Sequence, residues 1–144
     1  MPVFVGVGGG ITGGDRAVRL AIEAENQGAF GVVVNAPISD EVISRIKQVV
    51  DIPVIATIVS ERMDIRSRME AGADFLNVSG AAATPQIVRS IRAQFPDVPI
   101  LATGGPNDET ILKTIRAGAN AITYSPPSNG ELFADIMQKY RGKL

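Results

Sequence analysis

Apolar and polar positions along this chain fall into two alternating rhythms. Short apolar runs, partly β-branched, have the pattern of buried strands. Between them lie longer stretches in which apolar residues recur every three or four positions, as in an amphipathic helix. Three apolar runs begin at Pro2, Pro53 and Pro99: "PVFVG", "PVIAT" and "PILAT". Each leads into a helical pattern, "DRAVRLAIEAENQ", "ERMDIRSRMEA" or "NDETILKTIRA", that closes on a Gly-Ala pair at Gly28, Gly72 or Gly118. Glycine there supplies the left-handed cap conformation at little steric cost. A second strand pattern follows ("FGVVVNAP", "DFLNVSG", "NAITYSPP"), then a second helix ("SDEVISRIKQVV", "TPQIVRSIRAQF", "NGELFADIMQKY").

One unit is thus repeated three times, as residues 2–52, 53–98 and 99–144, and Pro53 to Pro99 is a step of 46 residues. Strand–helix spacing this short predicts parallel strands with right-handed crossovers. The expected fold class is α/β: a single (βα)6 domain over 1–144, made of three βαβα repeats. It is a reduced relative of the eight-stranded TIM barrel, closed on six strands or completed by a second chain. The alternative is an open doubly wound sheet. The barrel-like form is favoured, because identical repeats curve the same way and offer no point where the winding reverses. In an open sheet "VFVGV" and "AITY" would be uncovered apolar edges, so a homo-oligomer is expected, with those edges at the interface.

The repeat also sorts side chains by face, since they alternate across a strand. Val32, Val34, Leu76, Val78, Ile122 and Tyr124 share one parity and should lie under the helices. The opposite parity becomes polar toward the strand ends, with Asn35, Asn77, Ser79, Thr123 and Ser125; Thr57 and Thr103 join them from the other strands. These residues are expected to line one end of one cavity, the end where parallel α/β folds bind ligands. They serve equally well as small polar groups that bond to one another in a crowded centre.

Composition narrows the chemistry. Of 144 residues, 45% are hydrophobic and 20% charged, which is ordinary for a globular protein. A net charge of −1 gives no basic field, so neither nucleic acid nor an anionic membrane is an expected partner. The start lacks the pattern of a signal peptide and no apolar run is long enough to span a bilayer, so a cytoplasmic protein is expected. The chain has no cysteine and no histidine. That removes thiolate chemistry, the commonest general base and the commonest zinc ligand, and neither a metal nor a cofactor is expected. Lys47, Lys113, Lys139 and Lys143 all fall in helix patterns or the tail, so a strand-end Schiff-base lysine, and with it that aldolase mechanism, is excluded.

Two glycine-rich turns stand at the same end as the polar face. In the first unit, Pro2 to Gly28 is seven residues longer than the matching stretch of the other two, and the excess falls in "GVGGGITGGD". Amides of Gly8, Gly9 and Gly10 can cradle an anion there, aided by the following helix start; a flexible loop with Asp15 as cap is the simpler reading. The second turn is "ATGGPNDE". Residues 97–125, "DVPILATGGPNDETILKTIRAGANAITYS", resemble the last two strands of the phosphate-binding TIM-barrel enzymes, the superfamily of thiamin-phosphate synthase, the keto-deoxy-phosphogluconate aldolases and the sugar-phosphate epimerases. The resemblance covers about a fifth of the chain. It implies that Gly104 and Gly105 offer amides to a phosphate, with Ser125 and the next turn completing the cradle. Pro126-Pro127 departs from the family pattern, since proline has no amide hydrogen. The family's catalytic lysine and metal-binding histidines have no counterpart.

Charged groups for catalysis would have to come from the rim loops. Asp15, Asp40 and Asp108 suit helix starts, where acids are favourable without any function. Ser60, Glu61 and Arg62 follow a strand directly, so Glu61 is the candidate base and Arg62 the candidate anion clamp, against the simpler reading of a solvated helix start. The expected function is binding of a small phosphorylated or carboxylated metabolite at the C-terminal rim, as a lyase or isomerase working by acid–base chemistry. The alternatives are a non-catalytic ligand-binding or regulatory protein, or a barrel fragment kept for its fold.

Overall fold

Each strand pairs only with its neighbours in the chain. The computed structural model describes residues 1–143 and contains β1 (Phe4–Gly8), β2 (Gly31–Val34), β3 (Val54–Ile58), β4 (Phe75–Val78), β5 (Ile100–Thr103) and β6 (Ala121–Thr123). They form one parallel sheet in the order β1-β2-β3-β4-β5-β6. The helices between and after them are α1 (Gly14–Asn26), α2 (Asp40–Val49), α3 (Ile65–Glu70), α4 (Thr84–Gln94), α5 (Asp108–Arg116) and α6 (Asn129–Arg141). A doubly wound sheet would reverse its strand order at one point; this one never does. It curls as a TIM barrel does, but β6 does not pair with β1, so the six strands do not close on themselves.

The alternation expected along the strands places Val32, Val34, Val54, Ala56, Ile58, Leu76, Val78, Ile100 and Ala102 in one buried layer. Ala17 and Ala21 of α1, Ile43 and Ile46 of α2, and Ile87, Val88 and Ile91 of α4 pack against them. Each valine, leucine or isoleucine among them contributes on the order of 1.5–3 kcal/mol by leaving water, and each alanine less. β3 is buried along its whole length, whereas α5 buries only Thr114 and α6 buries no residue. The core therefore thins toward the last unit. A bulge in β1 adds a feature the repeat does not contain: Gly6 pairs with Val33 and Gly8 with Val34, and the extra residue, Val7, is buried in the core.

Local chemistry sets the element ends. Gly28, Gly72 and Gly118 have φ of +83°, +116° and +113°, the left-handed cap geometry predicted for them. Ser39, Asp64, Asn107 and Ser128 accept hydrogen bonds from first-turn amides of α2, α3, α5 and α6. Because Asp64 caps α3, that helix begins at Ile65 and not at Glu61 as the pattern suggested. Tyr124 also differs from expectation: β6 ends at Thr123, strand parity stops there, and the ring is 63% exposed instead of buried under a helix.

At the amino-terminal end of the strands, paired side chains join one unit to the next. Lys47 of α2 donates to Asp74 Oδ2 at 2.7 Å, and the same oxygen accepts from Val54 N. One repeat later, Arg92 of α4 donates to Asn120 Oδ1 and to the carbonyls of Gly118, Pro96 and Val98, while Asn120 Oδ1 accepts from Ile100 N. These joints sit opposite the candidate site and hold the strands in register.

Candidate functional site

The polar parity does gather on the face of the sheet away from the helical core. In register, Asn35 follows the Val34–Ala56 pair, Thr57 pairs with Asn77, and Thr103 pairs with Thr123. Thr57 Oγ1 donates to Asn35 Oδ1 at 3.0 Å and accepts from Asn77 Nδ2 at 3.1 Å. Thr103 Oγ1 donates to Ser79 Oγ at 3.2 Å. Thr57 is 6% exposed, Asn77, Ser79 and Thr103 are half-buried, and Asn35 is exposed. Mutual bonding, one of the two roles considered for these groups, is thus present. They satisfy one another, and the two asparagines keep amide donors and acceptors free toward solvent. Val33, Ile55, Phe75 and Leu101 precede them on the same face, so the polar ladder borders an apolar stretch of the sheet.

The first glycine loop abuts this ladder. Gly9 has φ +117°, and a Cβ placed on it would lie 2.5 Å from the Asn35 carbonyl oxygen. Asn35 N in turn donates to Gly8 O at 2.9 Å. The loop closes on itself through Gly9 N to Thr12 O and Thr12 N to Gly9 O, so the Gly9 amide is already used. Gly10 is exposed at φ +61°. Behind the loop, α1 starts at Gly14 with no side-chain cap on its first-turn amides. Asp15 does not serve as one. Its carboxylate is held by Arg45 of α2, whose hydrogen bond and charge keep it below the ordinary aspartate range.

The second glycine turn is arranged differently. Gly104 N donates to Thr123 O at 2.9 Å, so it is not free for a phosphate as the resemblance implied. Asn107 and Thr110 bond reciprocally and occupy two more amides. Ser125 lies beyond β6, exposed, in an open cleft of about 630 Å³ with Gly105, Asp108, Tyr124 and Glu131. The Ser128 hydroxyl, then its amide, hold Glu131 below the ordinary glutamate range, so this cleft carries a carboxylate at neutral pH. It is a poor anion site. Ser125 shares this cleft with Thr103, the partner of Ser79, and with none of Asn35, Thr57 and Asn77.

Glu61 and Arg62 are both exposed in the loop after β3. Glu61 Oε2 accepts from Gln86 Nε2 of α4 at 3.3 Å and lines a cavity of about 260 Å³ between α3 and α4, with Arg66 and Phe95. That cavity lies among the helices, away from the ladder. Among the described residues no group of three or more His, Cys, Asp or Glu side chains is placed to hold a metal ion, and no helix is long and apolar enough to cross a membrane.

The chain matches no protein-family model and has no significant match among curated proteins. Solved structures do share its fold. A protein described as a phosphonomutase from Burkholderia cenocepacia aligns with TM-score 0.66 and 19% identity over 99% of this chain and 68% of its own. Inosine 5' monophosphate dehydrogenase from Legionella pneumophila aligns with TM-score 0.68 and 18% identity over 87% of this chain and 43% of its own. N-acetylmannosamine-6-phosphate 2-epimerase from Clostridium perfringens aligns with TM-score 0.64 and 16% identity, over 89% and 66% respectively. The chain thus spans between 43% and 68% of the length of these three. At such identities the likeness establishes the fold, a reduced TIM-barrel-like α/β sheet, and carries no residue roles.

Proposed function

We propose that this protein binds a small phosphorylated or carboxylated metabolite at the C-terminal rim, in the hollow between the first glycine loop and the Asn35–Thr57–Asn77 ladder. The contact of Gly9 with Asn35 carries this reading, because it makes loop and ladder one site. The uncapped first-turn amides of α1 and the exposed Gly10 suit the anionic group. The neutral ladder suits hydroxyl or amide groups on the body of the ligand. Two of the similar structures are enzymes whose names specify phosphorylated compounds, which agrees with this choice of anion.

Within this reading a lyase or isomerase would use Glu61 as its base. A non-catalytic binding or regulatory role is favoured instead by the position of Glu61, bonded to Gln86 beside the helices and not to the ladder. Calorimetric titration with inorganic phosphate and with panels of phosphate esters and carboxylates tests the site. Saturable binding is expected, weakened about tenfold or more by Gly9→Ala. No binding by any compound in the panels would overturn the proposal. Mass spectrometry on the bound compounds separates the roles: turnover lost in Glu61→Gln with binding retained supports the enzyme, and unchanged ligands support the binding protein.

A further inference from the structure

The last helix has no bed of its own. Every residue of α6 is exposed, and so is the connection before it, which contains Pro126 and Pro127. Leu132, Phe133, Ile136, Met137 and Tyr140 follow helical spacing and form one apolar stripe. Phe133 is 66% and Ile136 50% exposed. An uncovered stripe of this size marks a surface made for association.

The other end of the sheet has the complementary vacancy. α1 packs on α2, α2 on α3 and α4 on α5, so helices in this fold lie beside the next one in sequence. The flank of α1 beside β1 is an open groove of about 390 Å³. Val3, Val5, Leu20 and Ala24 line it, with Glu23 and Gln27 at its margin.

We propose that two copies of this chain pair by exchanging α6, so that the apolar stripe of each α6 lies in the α1–β1 groove of its partner. Length and charge both fit. α1 and α6 are each 13 residues long. Neighbouring helices in a parallel α/β fold run in the same direction, so the two last turns come level. The last turn of α6 holds Lys139 and Arg141; that of α1 holds no basic residue and begins with Glu23 on the groove margin. With the two last turns level, Met137 comes beside Ile22 and Arg141 beside Asn26, within one turn of Glu23, which the long arginine side chain spans. Exchange in both directions fills each groove once, and the assembly ends at two chains.

Light scattering after size exclusion, on the full chain across a concentration series, tests this. The wild type should run at the mass of two 15.1 kDa chains. Leu20→Glu and Phe133→Glu should each run as single chains. Both positions are exposed, so circular dichroism should show the fold retained. Glu23→Arg and Arg141→Glu should each weaken pairing about threefold to fivefold, and the double variant should restore it. A wild type that stays single-chain at high micromolar concentration overturns the proposal. So does a dimer that survives Leu20→Glu but not Phe133→Glu, which would mean α6 against α6.

Discussion

Thr57 has one hydroxyl hydrogen and gives it to Asn35, so its oxygen is left to accept from Asn77. That single choice orders the two amides beside it and fixes which of their atoms face outward. Gly9 then presses on Asn35 from above, in a backbone conformation that a side chain disfavours. Gly9→Ala should destabilise the protein by about 1–3 kcal/mol in urea denaturation, because it adds both strain and overlap at Asn35. Wild-type stability in that variant would mean the loop does not rest on the ladder. Alternation along the strands was enough to place Asn35, Thr57, Asn77, Ser79 and Thr103 on one face. What escaped that reasoning was pairing across strands. Whether Gly104 keeps a free amide depends on its partner, Thr123, some twenty residues away. Parity also lost its meaning at Tyr124, one residue past the end of β6.

Among the elements, the joints at the amino-terminal end were invisible to motif reasoning, although Asp74 and Asn120 stand at matched places in their repeats. Arg92 gathers three carbonyls and one side-chain oxygen. Arg92→Met keeps the aliphatic stem and leaves those acceptors without their donor, so stability should fall by about 2 kcal/mol while ligand titrations stay unchanged. A variant as stable as the wild type would show the joint to be ornamental. The start of α6 is sensitive to acid in a defined direction. Ser128 lowers the pKa of Glu131, so this carboxylate stabilises the helix at pH above the ordinary glutamate range, and the contribution disappears as pH falls through the lowered value. Far-ultraviolet circular dichroism should therefore show wild type more helical than Glu131→Gln at neutral pH and equal to it in strong acid. A difference that persists in acid would rule out the titration of Glu131 as its cause.

For the molecule as a whole, the threefold repeat was the most legible feature. Fixed spacing of proline, Gly-Ala and strand patterns specified a parallel sheet wound in one direction, and the strand order agrees. Closure was not legible, because it depends on the curl accumulated over six strands and not on any residue. The curl stops short, and β1 and β6 stay apart.

The Lys47–Asp74 and Arg92–Asn120 links have one more consequence. Each crosses a single boundary between units, and neither reaches over two. A fold fastened in this way resembles a short row of coupled segments more than one indivisible block. In the Arg92→Met variant the final third would then melt ahead of the remainder, and the calorimetric peak would broaden toward lower temperature instead of merely sliding.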